Sequence, residues 1–212
     1  LHQGHISLVE LARRRADRIV VSVFVNPTQF GPGEDYQAYP RTLDHDRRRL
    51  TRAGAELLFA PAVEEMYPRV EDAGTVVSVP GLSSILCGEF RPGHFDGVTS
   101  VVSRLFNIVQ PDVAVFGQKD YQQLTIIRRL QADLHYPVAI IAGPTLREAD
   151  GLALSSRNQY LSATERKLAP MLYRAVSECG DRLRAGARDY AALEVHGKAT
   201  LVAAGFRPDY FS

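Results

Sequence analysis

Short apolar, β-branched runs alternate with helical stretches up to residue 143, and this alternation limits the possible folds more than any other feature. We interpret as buried strands residues 19–25, 56–60, 112–116 and 138–142, and residues 75–79 alternate in the manner of a further strand. Helical periodicity lies between them, at residues 6–16, 43–53, 98–109 and 121–134. Because parallel strands are joined by crossover helices that cover the sheet, the pattern predicts an α/β fold with a Rossmann-like, doubly wound parallel sheet.

The alternation ends at Gly143-Pro144. A loop extends from there to Asn158, and two helical stretches follow, at residues 163–184 and 190–204. The sequence therefore predicts a Rossmann-like domain of residues 1–143 and a smaller C-terminal domain of residues 144–212.

Charge and cysteine content narrow the possible classes of function. The 25 basic and 24 acidic residues leave a net charge of +1, without the basic excess that nucleic-acid binding usually needs. The longest apolar run, residues 19–25, is too short to cross a bilayer. The two cysteines, Cys87 and Cys179, are far apart and in no metal-binding spacing, which indicates a reducing compartment. We expect neither a nucleic-acid nor a membrane partner.

A pair of histidines stands at the start of the first helix, in the sequence His2-Gln3-Gly4-His5. Two imidazoles at a helix N-terminus can donate hydrogen bonds to a phosphate, and the glycine lets the backbone approach it. Read alone, the same pair is better explained as capping or surface histidines. Zinc binding is less favoured, because no third ligand is near in the sequence.

Polar residues also follow two of the predicted strands, where the ligands of doubly wound sheets bind. Asn26 and Gln29 come after the first, in a stretch that could equally be a structural turn at Asn26-Pro27. After the third comes Gly117-Gln118-Lys119-Asp120, with Gln123 one helical turn further on. Lys119 could neutralise a phosphate and Asp120 could hold a ribose hydroxyl or magnesium, whereas a capped helix start is an equally good interpretation.

Two further loops carry polar clusters. Residues 150–158 contain Ser155, Ser156 and Arg157, a set that suits a polyphosphate or, as an alternative, the cap of the next helix. Residues 91–97, Arg-Pro-Gly-His-Phe-Asp-Gly, gather polar groups that could close over a site or simply form a tight turn.

Taken together and in order, these motifs resemble those of the pantothenate synthetase family. The resemblance is carried by His2-Gln3-Gly4-His5, Phe24-Val-Asn-Pro-Thr-Gln-Phe30, Tyr39-Pro-Arg-Thr42, residues 91–98, Phe116-Gly-Gln-Lys-Asp120 and Leu154-Ser-Ser-Arg-Asn158. It runs from Leu1 to about Ser162 and continues more loosely to the end. Many relatives have Glu where this chain has Gln118, a change of little weight if the loop backbone and Lys119 bind the nucleotide.

The resemblance implies an enzyme that uses ATP to join pantoate to β-alanine through a pantoyl adenylate, releasing pyrophosphate and then AMP. It implies catalytic roles for His2, His5, Lys119 and Arg157, with His5 as the proton donor. The implied ATP-binding residues are His2, Gly4, His5, Gly117, Gln118, Lys119, Asp120, Leu146, Leu154, Ser155, Ser156 and Arg157. The implied pantoate and β-alanine ligands are Gln29, Gln123, Asn26 and Phe30.

The same resemblance implies a Mg²⁺-dependent, cytoplasmic homodimer, in which the metal is carried by the ATP phosphates and not by protein ligands. Residues 144–212 would be a partial α+β domain that closes over ATP. Family members have a strand before the position of Leu1 and a longer C-terminal domain. We therefore expect a sheet whose first strand is missing, in the order third, second, first, fourth, fifth, so that residues 19–25 and 112–116 do not pair.

Two other functions stay open at this point. A related nucleotidyltransferase would share the His-x-Gly-His motif but not the pair Gln29 and Gln123. A fragment without activity would bind the nucleotide and turn nothing over.

Overall fold

The structure is a computed structural model that describes residues 1–68 and 74–212. It divides into two compact units, Leu1–Thr145 and Leu146–Ser212. Proline and glycine at 143–144 had suggested a boundary within two residues of this division.

The first unit contains four short parallel strands, β1 (Val20–Ser22), β2 (Leu57–Phe59), β3 (Val113–Gly117) and β4 (Ala139–Gly143). β1 pairs with β2, with Val20 opposite Leu57, and β3 pairs with β4, with Val113 opposite Ala139. The two pairs form separate sheets, so β1 and β3 are not hydrogen-bonded to each other. Both pairings and the separation agree with the expected strand order.

The helices that connect and cover these strands in the described residues are α1 (Gln3–Ala12), α2 (Leu43–Ala53), α3 (Val63–Met66), α4 (Cys87–Phe90), α5 (His94–Val109) and α6 (Tyr121–Asp133). α2 ends at Gly54, whose φ of 84° is the left-handed conformation that glycine adopts without strain. β1 and β2 are shorter than predicted, whereas β3 and β4 have the predicted length. Residues 91–97, interpreted from the sequence as a loop, include the beginning of α5.

A cavity of about 480 Å³ lies between β1 and β3. Its walls come from α1, β1, α5 and β3, and most of them are apolar, for example Val9, Val21, Phe106 and Val115. The gap between the two sheets therefore has apolar walls, and the edges of β1 and β3 that face it are not paired with each other.

Residues 75–79 are not a strand, which corrects the prediction made from their alternation. The backbone N–H of Val77 donates to Ser100 Oγ at 2.9 Å, and the carbonyl of Val77 accepts a hydrogen bond from Thr99 Oγ1. Side chains of α5 thus satisfy this backbone in place of a neighbouring strand. The alternation reflects packing against a helix.

The core of the first unit lies mainly around α5 and α6. Val98 is 1 % exposed, and Leu124, Ile126 and Ile127 are fully buried. Burial of each such side chain contributes about 1.5–3 kcal/mol to the free energy of folding. Residues of β3 and β4, for example Phe116 and Ile140, pack against this core. A second cluster of Ile6, Val9, Ile19 and Leu50 packs α1 against β1 and α2.

The second unit is helical, with α7 (Ala163–Leu168), α8 (Met171–Arg184) and α9 (Tyr190–Ala203). One helix had been predicted across residues 163–184. It is interrupted at Pro170, because proline removes a backbone donor and clashes with the preceding turn. The β component of residues 146–212 is an isolated antiparallel bridge between Arg147 and Ala153.

Candidate active site

The histidine pair lies where the chain enters α1. His2 is the N-cap of this helix and His5 is in its first turn. Their ring centroids are 3.9 Å apart, with an interplanar angle of 40°. His2 N–H donates to His5 Nδ1 at 3.2 Å, so His5 does cap the helix, as one interpretation of the sequence proposed. This capping uses only one nitrogen of the His5 ring.

Burial keeps both imidazoles neutral. Desolvation, followed by the repulsion that a protonated His2 would exert, lowers the pKa of His5 from 6.5 to about 4. Desolvation also lowers the pKa of His2. Because His5 Nδ1 accepts a hydrogen bond, the proton of the neutral ring is on Nε2. A neutral pair can still meet a phosphate as a hydrogen-bond donor, in the way that the sequence analysis expected.

The low pKa of His5 predicts a loss of stability in acid. The unfolded chain binds a proton near pH 6.5 and the folded chain near pH 4, so the free energy of unfolding falls as pH drops through this interval. His5→Ala removes this contribution, so the free energy of unfolding of the variant should depend less steeply on pH. Urea midpoints of both proteins at several pH values between 7 and 4 measure the difference. Parallel curves for the two would show that His5 is not buried as the structure has it.

Lys119 lies in a short 3-10 helix, Gln118–Asp120, directly after β3. Its Nζ is 3.2 Å from Asp120 Oδ1, and the two side chains are 39 % and 60 % exposed. The charge of Lys119 lowers the pKa of His2 and that of His5, although it is not the largest cause for either. Lys119 is therefore close enough to interact electrostatically with the histidine pair, and α1, which begins with the pair, packs against β3, which precedes Lys119.

The side chain of Asn26 is used within the fold. It is 2 % exposed, its Oδ1 accepts from Tyr67 Oη at 2.8 Å and from Thr28 Oγ1 at 3.0 Å, and its Nδ2 donates to the Gly97 carbonyl at 3.1 Å. This differs from the expected role as a substrate ligand. Asn26 holds the turn after β1 in place, which is the structural alternative that the sequence left open.

Gln29 and Gln123 keep their side-chain amides available, since no protein partner binds them in the described part of the chain. The adjacent Gln122 is different. Its Nε2 donates to the Ile85 carbonyl at 2.7 Å and its Oε1 accepts from Cys87 N at 3.1 Å, which ties α6 to α4. Of the two consecutive glutamines, only Gln123 can serve a ligand.

Phe30 and the residues after it form an aromatic group. The Phe30 ring contacts Tyr36 and Tyr39 edge-on, with centroids 5.3 and 5.9 Å away. An aromatic cluster thus follows Gln29 directly in the sequence.

A network that sequence reasoning missed surrounds the Gln29 backbone. The Gln29 carbonyl lies 2.8 Å from His94 Nδ1 and 3.3 Å from an Arg91 nitrogen, and Arg91 is paired with Glu34. The sequence indicated polar groups at residues 91–97 but did not indicate that Glu34 pairs with one of them. Glu34 is 57 positions from Arg91 in the sequence, so no local pattern connects the two.

The remaining predicted ATP ligands belong to the second unit. Ser155 Oγ accepts a hydrogen bond from Arg157 N at 3.2 Å, at the start of the 3-10 helix Ser156–Tyr160. Leu154 N donates to the Leu146 carbonyl at 2.9 Å. Leu146, Leu154, Ser155, Ser156 and Arg157 thus lie along one hydrogen-bonded segment, and their roles stay predictions.

In residues 1–68 and 74–212, no group of three or more His, Cys, Asp or Glu is placed to hold a metal ion. Across the same residues, no helix has the length and apolar character needed to cross a bilayer.

The fold and site define a class of protein: a Rossmann-like nucleotidyltransferase fold, with an imidazole pair at the start of α1 and with ammonium and amide groups in the segments after β3 and β1. The sequence profile of the Pantoate-beta-alanine ligase family matches residues 1–212. The chain belongs to that family.

Known relatives agree. The chain is 59 % identical over 210 residues to the pantothenate synthetase of Pseudomonas putida (strain W619), covering 99 % of this chain and 73 % of the relative. It is 57 % identical to the pantothenate synthetase of Pseudomonas aeruginosa (strain UCBPP-PA14), again over 99 % of this chain and 74 % of the relative.

Solved structures support the fold. The crystal structure of pantothenate synthetase from Thermus thermophilus matches with a TM-score of 0.93 and 54 % identity, over 99 % of this chain and 76 % of that one. A pantoate-β-alanine ligase from Francisella tularensis, complexed with beta-gamma ATP and β-alanine, matches with a TM-score of 0.80 and 36 % identity, over 94 % and 74 % of the two chains. The predicted fold and function, ATP-dependent formation of pantothenate, are confirmed, whereas the roles of individual residues are not tested by these comparisons.

Proposed function

We propose that this chain joins pantoate to β-alanine in two stages, with the histidine pair and Lys119 acting on the phosphates of ATP. In the first stage a pantoate carboxylate oxygen attacks the α-phosphorus, and the bond to pyrophosphate breaks. In the second stage the β-alanine amine attacks the acyl carbon, AMP leaves and the amine loses a proton. The observation that carries the proposal is the convergence of His2, His5 and Lys119.

These three residues suit the first stage chemically. The attacking carboxylate and the α-phosphate are both negative, so the reaction needs donors and positive charge where charge develops. His5 Nε2–H supplies a donor with a fixed tautomer, and Lys119 supplies a cation whose surface pairing with Asp120 contributes only about 0–1 kcal/mol. We assign ATP contacts also to Gly4, Gly117, Gln118 and Asp120.

Pantoate and β-alanine are assigned to the amides of Gln29 and Gln123. A primary amide has both a donor and an acceptor, as a hydroxy acid requires. Phe30 and its neighbouring tyrosines would contact the methyl groups of pantoate. The amide of Asn26 is already occupied, so we give it the task of holding the turn.

Mg²⁺ fits the site as an ion carried by the substrate. Asp120, the carboxylate next to Lys119, is paired with that residue. Mg²⁺ prefers hard oxygen ligands and commonly binds substrate phosphates, so the phosphate oxygens of ATP would hold it, and the metal would neutralise phosphate charge.

Residues 146–212 are proposed to complete the ATP site as a lid. The segment with Ser155, Ser156 and Arg157 would contact the phosphates and exclude water that could hydrolyse the adenylate. We further propose a cytoplasmic homodimer. Support for the compartment comes from the sequence, in which Cys87 and Cys179 are far apart and do not form the pattern of a disulfide framework. Sedimentation velocity tests the dimer.

The order of product release tests the two-stage reaction. With ATP and pantoate alone, pyrophosphate should appear and pantoyl adenylate should be detectable by mass spectrometry. AMP should be released only after β-alanine is added. Pyrophosphate that forms only when β-alanine is present would contradict the adenylate-first order. Binding of ATP without any product would indicate a nucleotide-binding fragment.

A further inference from the structure

The carbonyl oxygen of Gln29 is held by two donors from the segment that begins α5. His94 Nδ1 is 2.8 Å from it and Arg91 Nη2 is 3.3 Å from it. A carbonyl only accepts hydrogen bonds, so His94 Nδ1 carries a hydrogen. Arg91 Nη1 lies 3.3 Å from His94 Nε2, and because a guanidinium only donates, Nε2 accepts. These contacts select one neutral tautomer of His94.

Arg91 is itself held by a carboxylate. Its Nε donates to Glu34 Oε1 at 2.7 Å and its Nη2 to Glu34 Oε2 at 2.6 Å, a two-pronged pairing. The two side chains are only 31 % and 26 % exposed. The pair joins the loop after Gln29 to the turn before α5, so both sides of the Gln29 backbone are restrained.

The turn at residues 26–29 also packs closely against α5. The Asn26 amide donates to the Gly97 carbonyl at 3.1 Å. A Cβ atom at Gly97 would clash with the Thr28 carbonyl and would lie 2.9 Å from Gln29 N. The backbone of Gln29 is thus fixed on three sides, while its side-chain amide keeps its donor and acceptor for a ligand.

We propose that Glu34, Arg91 and His94 form a positioning clamp that aims the Gln29 amide at the hydroxy-acid substrate and so sets the affinity for pantoate. The clamp residues touch the backbone of Gln29 and one another, so they act through Gln29 and not on the reacting atoms. This inference rests on the proposed role of Gln29 in pantoate binding. Displacement of a positioning group by about 1 Å can reduce a rate 10²-fold, so a clamp of this kind has measurable consequences.

The test measures pyrophosphate release with pantoate and ATP varied separately. Glu34→Gln and Arg91→Gln should each raise KM for pantoate by about tenfold and leave KM for ATP unchanged. The double variant should be no worse than the poorer single variant, because both changes break one pair. Arg182→Gln is a matched control, since Arg182 forms an ion pair of the same kind, with Glu178 at 2.7 Å in the second unit, and has no assigned role in the site.

His94 offers a test that loss of structure would not mimic. The side-chain nitrogen of asparagine is as many bonds from the backbone as His94 Nδ1, so His94→Asn should keep KM for pantoate near that of the unchanged protein. His94→Leu should raise it. Far-UV circular dichroism and the urea midpoint verify folding, and Glu34→Gln serves if Arg91→Gln does not fold.

The outcomes separate the clamp from the role of Gln29. If Gln29→Ala raises KM for pantoate and the clamp variants do not, the clamp is overturned and the binding role of Gln29 stands. If Gln29→Ala has no effect, both are overturned. Equal rises in KM for pantoate and ATP would show a general structural role and would also overturn the clamp.

Discussion

Replacement of His5 by alanine is expected to slow adenylate formation by roughly 10²- to 10³-fold, the usual effect of removing one donor aimed at developing charge. The structure makes His5 a donor with one defined tautomer, since Nδ1 accepts from His2 N and leaves the proton on Nε2. Burial, which lowers the pKa of His5 to about 4, keeps that tautomer populated at neutral pH. Single-turnover release of pyrophosphate from ATP and pantoate measures the step.

The control for His5→Ala is His196→Ala. His196 is 38 % exposed and bonded to Glu178 in the second unit, so its removal should not affect the first stage. An unchanged rate for His5→Ala would return His5 to the capping role that the sequence also allowed. The urea midpoint of each variant separates a loss of donor from a loss of folding.

Lys119→Ala should weaken ATP binding and slow the first stage, together by on the order of 10²-fold in kcat/KM for ATP. The charge of Lys119 acts on His2 and His5, lowering the pKa of each, which places the ammonium on the side of the histidine pair. The Asp120 side chain that pairs with Lys119 is 60 % exposed, so it competes only weakly with ATP for the ammonium group. Titration calorimetry with ATP, followed by the pyrophosphate assay, separates binding from rate.

Lys167→Ala is the matched control for Lys119→Ala. Lys167 is in the last turn of α7, and no role in the site is assigned to it. Lys119→Arg should retain much of the ATP affinity, because the positive charge remains. If Lys119→Ala bound and used ATP as well as the control does, the charge of Lys119 would not meet a phosphate.

The local sequence predicted the bounds of a strand most accurately where helices pack on both faces of that strand. The apolar runs at β3 and β4 are bounded by proline or glycine, and each was predicted within a residue of its observed ends. Residues 75–79 show the opposite case. Their apolar residues do alternate, but the backbone of Val77 is hydrogen-bonded to side chains of α5 and not to another strand. The sequence of one segment does not distinguish packing against a helix from pairing with a strand.

The motifs likewise supplied candidate site residues but not what each one does there. The sequence by itself determined the alternating α/β order, the family motifs and the choice of Gln29 and Gln123 as candidates. Tertiary structure decided that the Asn26 amide is used within the fold, that His5 is a neutral donor, and that Glu34 and Arg91 hold Gln29. These outcomes depend on burial and on contacts between residues tens of positions apart, and neither is present in any local stretch of the chain.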